Sequence, residues 1–158
     1  MSEEVYHIPV MLKECIEALD IKPNGTYVDV TFGGGGHSRS ILQQLSERGR
    51  LYAFDQDSDA LANNIDDNRF TLIHENFKYL KSFLRLEGVR KIDGLLADLG
   101  VSSHQFDEGQ RGFSIRFDAA LDLRMDQRQK QTAKDIVNSE SETRLKEILS
   151  LYGEMPNA

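Results

Sequence analysis

Short apolar runs alternate with longer stretches of mixed polarity over the first two thirds of the chain. The runs predict strands, and the stretches between them, where apolar residues recur at helical spacing, predict helices. Regular alternation with short turns is typical of parallel strands joined by right-handed crossovers, with helices on both faces of the sheet. The pattern therefore predicts a doubly wound α/β fold, with strands at residues 26–31, 50–55, 69–74 and 92–98 and helices at 38–47, 58–66 and 78–87.

Capping signals mark two helix starts in this region. Pro9 opens a helix-like stretch that runs through Leu19, because proline suits the first turn of a helix. Asp57 or Ser58 precedes the second crossover helix and can accept a hydrogen bond from a backbone N–H of its first turn. We therefore expect a helix before the first strand and an Asp or Ser cap at the start of the second crossover.

Beyond the fourth predicted strand the pattern changes. Residues 99–131 are rich in Gly, Asp, Arg and Gln, and their aromatic residues are spaced too irregularly for a long helix. An irregular stretch of this length inside a compact domain is often functional. After it, Ser139 and Glu142 have the spacing of a capping box, and Gly153 is placed to end the helix that follows.

Four consecutive glycines, Gly33–Gly36, lie between the first predicted strand and the next helix. Backbone without side chains lets a ligand approach closely, and the helix that follows points free N–H groups at an anion. Asp55, 20 residues after Gly35, ends the next strand, where an acid can accept hydrogen bonds from ribose hydroxyls. This glycine loop and Asp55 together predict a site for an adenosine-containing small molecule.

Several molecules could occupy that site. The dinucleotide fingerprint G-x-G-x-x-G/A is not met, because Ser38 and Arg39 stand where its last small residue is needed, and no Gly-Lys-Ser/Thr of a P-loop follows. S-adenosylmethionine has both a ribose for Asp55 and a carboxylate for the helix N-terminus. A nicotinamide-dependent oxidoreductase, a non-catalytic adenosine-binding module and a merely tight turn stay as alternatives.

The ends of the third and fourth predicted strands add further candidates, since ligands of such sheets bind at the carboxyl ends of the strands. Phe77 follows the third strand and could either cover an adenine or fill the core under the next helix. Asp98 follows the fourth and could cap the next turn or act on a substrate. Farther along, Phe106 or Phe113 could stack on a base.

Composition narrows the class of protein. A chain of 158 residues with 39% hydrophobic and 28% charged residues suits one globular domain, and no apolar stretch approaches membrane length. The single cysteine, Cys15, excludes internal disulfides and fits a reducing compartment, either as a small buried residue or as a reactive thiol. The four histidines show no metal-ligand spacing with it. We expect a cytoplasmic protein without a metal and without a membrane partner.

The net charge of −7 opposes binding to nucleic acid. Its distribution is uneven, because residues 104–134 carry six basic and five acidic residues, a net +1. We call residues 104–134 the arginine segment. It is the one candidate for a surface that faces phosphates, and its alternative interpretation is a solvated loop of mixed charge.

Several ordered motifs resemble the bacterial 16S ribosomal RNA cytosine-N4 methyltransferase family, from about residue 7 to the end of the chain. The motifs are His7-Ile-Pro-Val10, Asp29-Val-Thr-Phe-Gly-Gly-Gly-Gly-His-Ser38, Ala53-Phe-Asp-Gln-Asp57, Asn76-Phe77, Ala97-Asp-Leu-Gly-Val-Ser-Ser103, Arg111-Gly-Phe-Ser114 and Leu121-Asp-Leu-Arg-Met-Asp126. This resemblance implies an S-adenosylmethionine-dependent enzyme that methylates the exocyclic N4 amine of one cytidine in the small ribosomal subunit. It implies an incomplete Rossmann-like methyltransferase core at 1–103 and, at 104–158, the loop and first helices of an inserted helical subdomain on the substrate side.

The resemblance also implies roles for individual residues. Asp55 would hold the ribose and Phe77 the adenine region, and Asp98 and Gln105 would complete the pocket. From its place at a strand end we also expect a catalytic role for Asp98. The cofactor-binding set as a whole is Gly33, Gly34, Gly35, Gly36, His37, Asp55, Phe77, Asp98 and Gln105, in which Gly35, Gly36 and His37 would hold the methionine end.

The reaction class agrees with the residues available. A cytosine N4 is a poor nucleophile until an acceptor polarises an N–H, and the Asp98 carboxylate or the carbonyls of Leu99 and Gly100 could do this. The turn at Asp98 lacks the prolines and the aromatic residue that other amino-methyltransferases carry. Family members continue well past Gly153, so we expect an N-terminal part whose RNA surface lies largely beyond it and which methylates rRNA poorly by itself.

Overall fold

The computed structural model describes residues 9–156. They form two compact units, one ending at Gly100 and the other beginning at Val101. The assignment of 1–103 to a methyltransferase core and of 104–158 to an inserted subdomain stays a prediction. In the described part of the chain, no helix is both long and apolar enough to cross a membrane.

A four-stranded parallel sheet forms the centre of the first unit, with strand order β3-β2-β1-β4. Its central strand β1 pairs with β2 on one side and with β4 on the other, so that Val28 lies beside both Tyr52 and Leu95. The strands are β1 (Thr26–Asp29), β2 (Arg50–Phe54), β3 (Phe70–Ile73) and β4 (Gly94–Leu96). All four strands lie within the predicted ranges.

Helices cover both faces of this sheet, which confirms the predicted fold class. They are α1 (Leu12–Leu19), α2 (Gly36–Gln44) and α3 (Leu80–Leu86). On one face Leu51 and Ala53 pack with Ile41 of α2, and on the other Tyr52 and Phe54 pack with Leu84 of α3. Successive residues of β2 thus point into two different cores, as the twofold repeat of a strand requires.

Two predicted helices of the first unit differ in detail. The predicted helix at 58–66 is wrong as an α-helix, because only a 3₁₀ segment, Ser58–Asn63, forms there. The Asn and Asp residues that follow favour turns over helix interiors. Its predicted cap at Asp57 is confirmed, with Asp57 accepting the Asp59 N–H at 3.1 Å. The first helix begins at Leu12 and not near Pro9, because Met11 adopts a left-handed φ of 55°.

The second unit contains three short helices, α4 (Ser103–Asp107), α5 (Ala133–Ser139) and α6 (Glu142–Tyr152). The predicted capping box of Ser139 with Glu142 is wrong. Ser139 ends α5, and Ser141 caps α6 by accepting the Arg144 N–H at 3.2 Å. Serines at both positions made the sequence ambiguous at this point. The predicted stop at Gly153 is confirmed.

Irregular backbone dominates the arginine segment, as predicted. Backbone hydrogen bonds between distant parts of the segment hold it in a defined conformation. Leu123 N–H donates to the Arg111 carbonyl at 3.1 Å, and Ala133 N–H donates to the Asp122 carbonyl at 2.8 Å. The guanidinium of Arg111 is buried and donates to the Arg124 carbonyl at 3.0 Å. The segment is therefore a closed loop, because Arg111 and Ala133 both bond to the backbone at residues 122 and 123 between them.

Candidate functional site

The glycine loop joins β1 to α2 through backbone conformations that favour glycine. Gly33 and Gly35 have φ of 50° and 77°, and Gly34 between them is half-buried. A Cβ on Gly35 would lie 3.0 Å from the Phe32 ring, whereas a Cβ on Gly33 would meet no atom within 4 Å. A Cβ on Gly36 would collide with the Pro9 ring. The loop is thus packed at its helical end and has open space beside Gly33.

Asp55 ties the end of β2 to this loop. Its Oδ2 accepts the Gly33 N–H at 2.8 Å, and its Oδ1 accepts the Asp57 N–H at 2.9 Å. Burial raises the pKa of the Asp55 carboxyl above its ordinary value of 3.8, and the two N–H groups partly offset that rise. A carboxylate has about four acceptor sites. Asp55 can therefore hold the loop and still accept hydrogen bonds from a ligand.

Asn63 holds Gly33 through the carbonyl of the same residue, and the sequence did not point to it. Its Nδ2 donates to the Gly33 carbonyl at 3.0 Å, while the Asn63 carbonyl accepts from the Arg39 guanidinium at 3.1 Å. Both polar groups of Gly33 are thereby occupied. No sequence signal could have found this contact, because Asn63 is 30 positions from Gly33 and lay in a predicted helix.

A buried acid, Asp29, lies under the loop and was also missed as a separate residue. It is 0% exposed at the end of β1, and its Oδ2 accepts the Ser38 hydroxyl at 2.8 Å. Its Oδ1 accepts the Thr31 N–H at 3.0 Å. Burial raises the pKa of Asp29, and the hydrogen bonds from Ser38 and Thr31 act in the opposite direction. The sequence did carry a signal, because Asp29 interrupts the apolar run Val28-Asp29-Val30. An acid in a buried strand is expected to have hydrogen-bond partners, since unpaired acids are rarely buried.

His37 lies in the first turn of α2 and is only 5% exposed. Its Nε2 is buried and, among residues 9–156, has no hydrogen-bond partner. A buried polar atom without a partner costs free energy, so such atoms are uncommon outside functional sites. His37 thus offers an unsatisfied polar atom at the helical end of the glycine loop.

The ends of β3 and β4 place two of the predicted residues at the surface. Phe77 is 42% exposed, which excludes the role of a core plug. Asp98 is exposed, and its N–H donates to Thr31 Oγ1 at 2.8 Å. In the described residues the Asp98 carboxylate accepts no hydrogen bond, so the predicted capping of the next turn is wrong. Both side chains are accessible to a ligand.

Gln105 belongs to the second unit, where it has a defined local role. Its Oε1 accepts the Ser102 N–H at 3.0 Å, and its own N–H donates to Ser102 Oγ at 3.2 Å. This reciprocal capping box starts α4 and buries the Gln105 side chain. The predicted contact of Gln105 with a cofactor stays a prediction.

At least three of the six basic side chains of the arginine segment are paired with its aspartates. Arg116 pairs with Asp107 at 2.8 Å, Arg124 with Asp122 at 2.7 Å and Arg128 with Asp126 at 2.9 Å. The hydrogen bond from Arg124 holds the pKa of the Asp122 carboxyl below its ordinary value. These pairs favour the interpretation of a solvated loop of mixed charge over that of a phosphate-binding surface.

Two expectations from the sequence, on metal binding and on the motif at His7, can be compared only with residues 9–156. Among residues 9–156, no group of three or more His, Cys, Asp or Glu side chains could hold a metal ion. The motif that begins at His7 lies partly outside the described residues, which include only its Pro9 and Val10.

Comparison with known proteins gives two kinds of match. The family model described as the MraW methylase family matches residues 4–158. The ribosomal RNA small subunit methyltransferase H of Christiangramia forsetii is 60% identical over 153 residues, which are 97% of this chain and 51% of the relative. The protein of the same name from Bacteroides fragilis is 56% identical over 157 residues, which are 99% of this chain and 52% of the relative. The chain therefore spans about half the length of the curated relatives it matches.

Proposed function

Because this chain belongs to the MraW methylase family, we propose that it carries the cofactor-binding part of an S-adenosylmethionine-dependent rRNA methyltransferase. The proposed reaction is methylation of the N4 amine of a cytidine in the 16S rRNA of the small ribosomal subunit. The observation that carries the proposal is the glycine loop, which has open space at Gly33 and a partly buried acid, Asp55, hydrogen-bonded to it.

The glycine loop favours S-adenosylmethionine over a dinucleotide or a nucleoside triphosphate, because it has neither the dinucleotide fingerprint nor the Gly-Lys-Ser/Thr of a P-loop. Asp55 offers acceptor positions for ribose hydroxyls. The buried Nε2 of His37 offers a polar partner at the start of α2, where the proposal places the methionine end. Phe77 is exposed enough to cover an adenine. In this proposal the glycine loop, His37, Asp55 and Phe77 form one binding surface.

Asp98 is the proposed catalytic residue. When bound, S-adenosylmethionine supplies an electrophilic methyl group, and the protein must orient the amine that attacks it. The Asp98 carboxylate is exposed and accepts no hydrogen bond within residues 9–156, so it can accept an N–H of the cytosine amine. The carbonyls of Leu99 and Gly100 are alternative acceptors on the same turn.

The RNA substrate is supported by the names of the relatives and not by the charge of this chain. Recognition of one cytidine needs phosphate contacts that fix register as well as a pocket for the base. The net charge is −7, and three arginines of the arginine segment are paired with aspartates. We therefore place most of the RNA surface in the half of the relatives that this chain does not match.

The cofactor proposal is tested by titration calorimetry of this chain with S-adenosylhomocysteine, S-adenosylmethionine, NAD and ATP. We expect the first two to bind and Asp55→Ala to weaken them at least about tenfold, because each hydrogen bond to a charged acceptor contributes about 1.5–3 kcal/mol. Binding of NAD alone would favour the oxidoreductase alternative. Binding of none of the four would overturn the proposal.

Two further variants show whether Asp55 contacts the ligand or only holds the loop. Asn63→Ala removes the bond to the Gly33 carbonyl but leaves the Asp55 carboxylate in place. We expect it to weaken binding less than Asp55→Ala does. Equal losses would mean that Asp55 acts through the loop alone. Asp66→Ala, at an exposed acid in the same region, is the matched control and should bind normally.

Transfer of the methyl group is tested with labelled S-adenosylmethionine and 30S subunits. Methyl incorporation by this chain should fall far below that of a full-length relative, since the proposal places most RNA contacts outside it. In a protein completed to the length of the relatives, Asp98→Asn should lower turnover by a larger factor than it lowers cofactor affinity. Normal turnover of that variant would contradict the catalytic role of Asp98.

A further inference from the structure

Thr31 lies two residues past the end of β1 and links two strand ends through its hydroxyl. Thr31 Oγ1 accepts the Asp98 N–H at 2.8 Å and donates to Asp29 Oδ1 at 3.4 Å. Asp98 follows β4, the neighbour of β1 in the sheet. One side chain thereby connects the buried acid under the glycine loop to the turn that carries Asp98.

Asp29 determines which way the Thr31 hydroxyl points. Oδ1 of Asp29 already accepts the Thr31 N–H at 3.0 Å, so it is an acceptor whatever the protonation of the other oxygen. The Thr31 hydroxyl must therefore direct its proton to Asp29 and its lone pair to the Asp98 N–H. Asp29 itself is fully buried and fixed by Ser38. The buried Asp29 therefore fixes the orientation in which Thr31 Oγ1 accepts the Asp98 N–H.

The turn at Asp98 has little else to restrain it. Asp98, Leu99 and Gly100 are all exposed, and Gly100 has a φ of 156°. Within residues 9–156, the bond to Thr31 is the one hydrogen bond that Asp98 makes. Loss of the Thr31 hydroxyl would therefore release the backbone that carries the Asp98 carboxylate.

We propose that Thr31 is a positioning residue that fixes the backbone at Asp98 and, through it, the place of the Asp98 carboxylate at the cofactor site. Thr31 acts without touching the ligand. The inference rests on the proposed function, because that function places a ligand beside the Asp98 carboxylate.

The test compares Thr31→Val, which keeps the shape and loses the hydroxyl, with Thr31→Ser, which keeps the hydroxyl. Thr71→Val, at an exposed threonine of β3, is the matched control. Hydrogen exchange of the Asp98 amide, followed by NMR in this chain without ligand, reads the positioning directly. Calorimetry with S-adenosylhomocysteine reads its consequence for binding.

We expect Thr31→Val to speed exchange of the Asp98 amide about fivefold, as the loss of one hydrogen bond allows, and to weaken S-adenosylhomocysteine binding. Thr31→Ser should restore both readouts, and Thr71→Val should change neither. Unchanged Asp98 exchange in Thr31→Val, or faster exchange with unchanged affinity, would overturn the positioning role. Absence of binding by the unaltered chain would instead overturn the cofactor proposal. The exchange data are collected without ligand, so they distinguish that outcome from a failure of the Thr31–Asp98 contact.

Discussion

The glycine loop and the arginine segment are both irregular, and both are held by aspartates, but the aspartates work differently. At the glycine loop, Asp29 and Asp55 lie in or near the core and accept backbone N–H and hydroxyl groups. In the arginine segment, Asp122 and Asp126 accept arginine side chains two residues ahead. The aspartates of the glycine loop fix it and leave space beside Gly33, whereas those of the arginine segment fix it by pairing with its arginines.

The contrast teaches that glycine, aspartate and arginine content alone does not identify a binding loop. Position relative to the sheet decides, because the carboxyl ends of parallel strands bring Gly33 and Asp55 together from distant parts of the sequence. In the arginine segment Asp122 and Asp126 pair with arginines two positions ahead, and Asp107 pairs with Arg116 nine positions ahead. Contacts of 22 and 30 positions at Gly33 therefore distinguish the candidate site from the arginine segment, whose ion pairs span at most nine positions.

The largest expected effect comes from removing the buried acid. Asp29→Ala leaves the Ser38 hydroxyl and the Thr31 N–H without their acceptor, and each buried group left unsatisfied costs about 1–3 kcal/mol. We expect the free energy of unfolding, measured by urea denaturation, to fall by about 2–4 kcal/mol. Asp29→Asn keeps one of the two acceptor oxygens and should cost less. A loss no greater than that of Asp66→Ala would show that Asp29 does not organise the loop.

A smaller effect separates conformational strain from ligand binding at the glycine loop. Gly33 and Gly88 both have positive φ, of 50° and 73°, and a Cβ at either would meet no atom within 4 Å. Gly33→Ala and Gly88→Ala should therefore each cost about 1–2 kcal/mol of unfolding free energy, the cost of left-handed backbone for an L-residue. Only Gly33→Ala should also weaken S-adenosylhomocysteine binding. Equal affinities in the two variants would mean that the space beside Gly33 is not used.

The sequence predicted the sheet well because each strand carries its own signal. The apolar runs around Val28, Tyr52 and Ile73 alternate between two buried faces, and that alternation depends only on local residues. Helix boundaries were less predictable, since Met11 and the asparagines after Ala62 redirect the chain through backbone conformations that no periodicity shows.

The residues of the candidate site also fall into a predictable and an unpredictable group. The glycine loop and Asp55 were predictable, because their spacing follows from one crossover unit. Asn63 and Thr31 were not, because each acts on a residue 30 or more positions away and neither belongs to a motif with a known spacing. Contacts that depend on how distant segments pack are the part of a site that one sequence does not show.

The smallest expected effect is a difference in the sign of pH dependence between the two regions. The pKa of Asp29 is raised above 3.8 by burial, so its contribution to stability is present below pH 3.8 and is lost as pH rises through the raised value. The pKa of Asp122 is lowered by Arg124, so its contribution is present above pH 3.8 and is lost as pH falls through the lowered value. The stability cost of Asp122→Asn should be about 0.5–1 kcal/mol at neutral pH, as for a surface pair, and should vanish in acid. The cost of Asp29→Asn should instead be greatest below about pH 4 and shrink toward neutrality. Urea denaturation of both variants between pH 3 and 7 measures this, and parallel pH profiles would contradict the distinction between a buried and a surface aspartate.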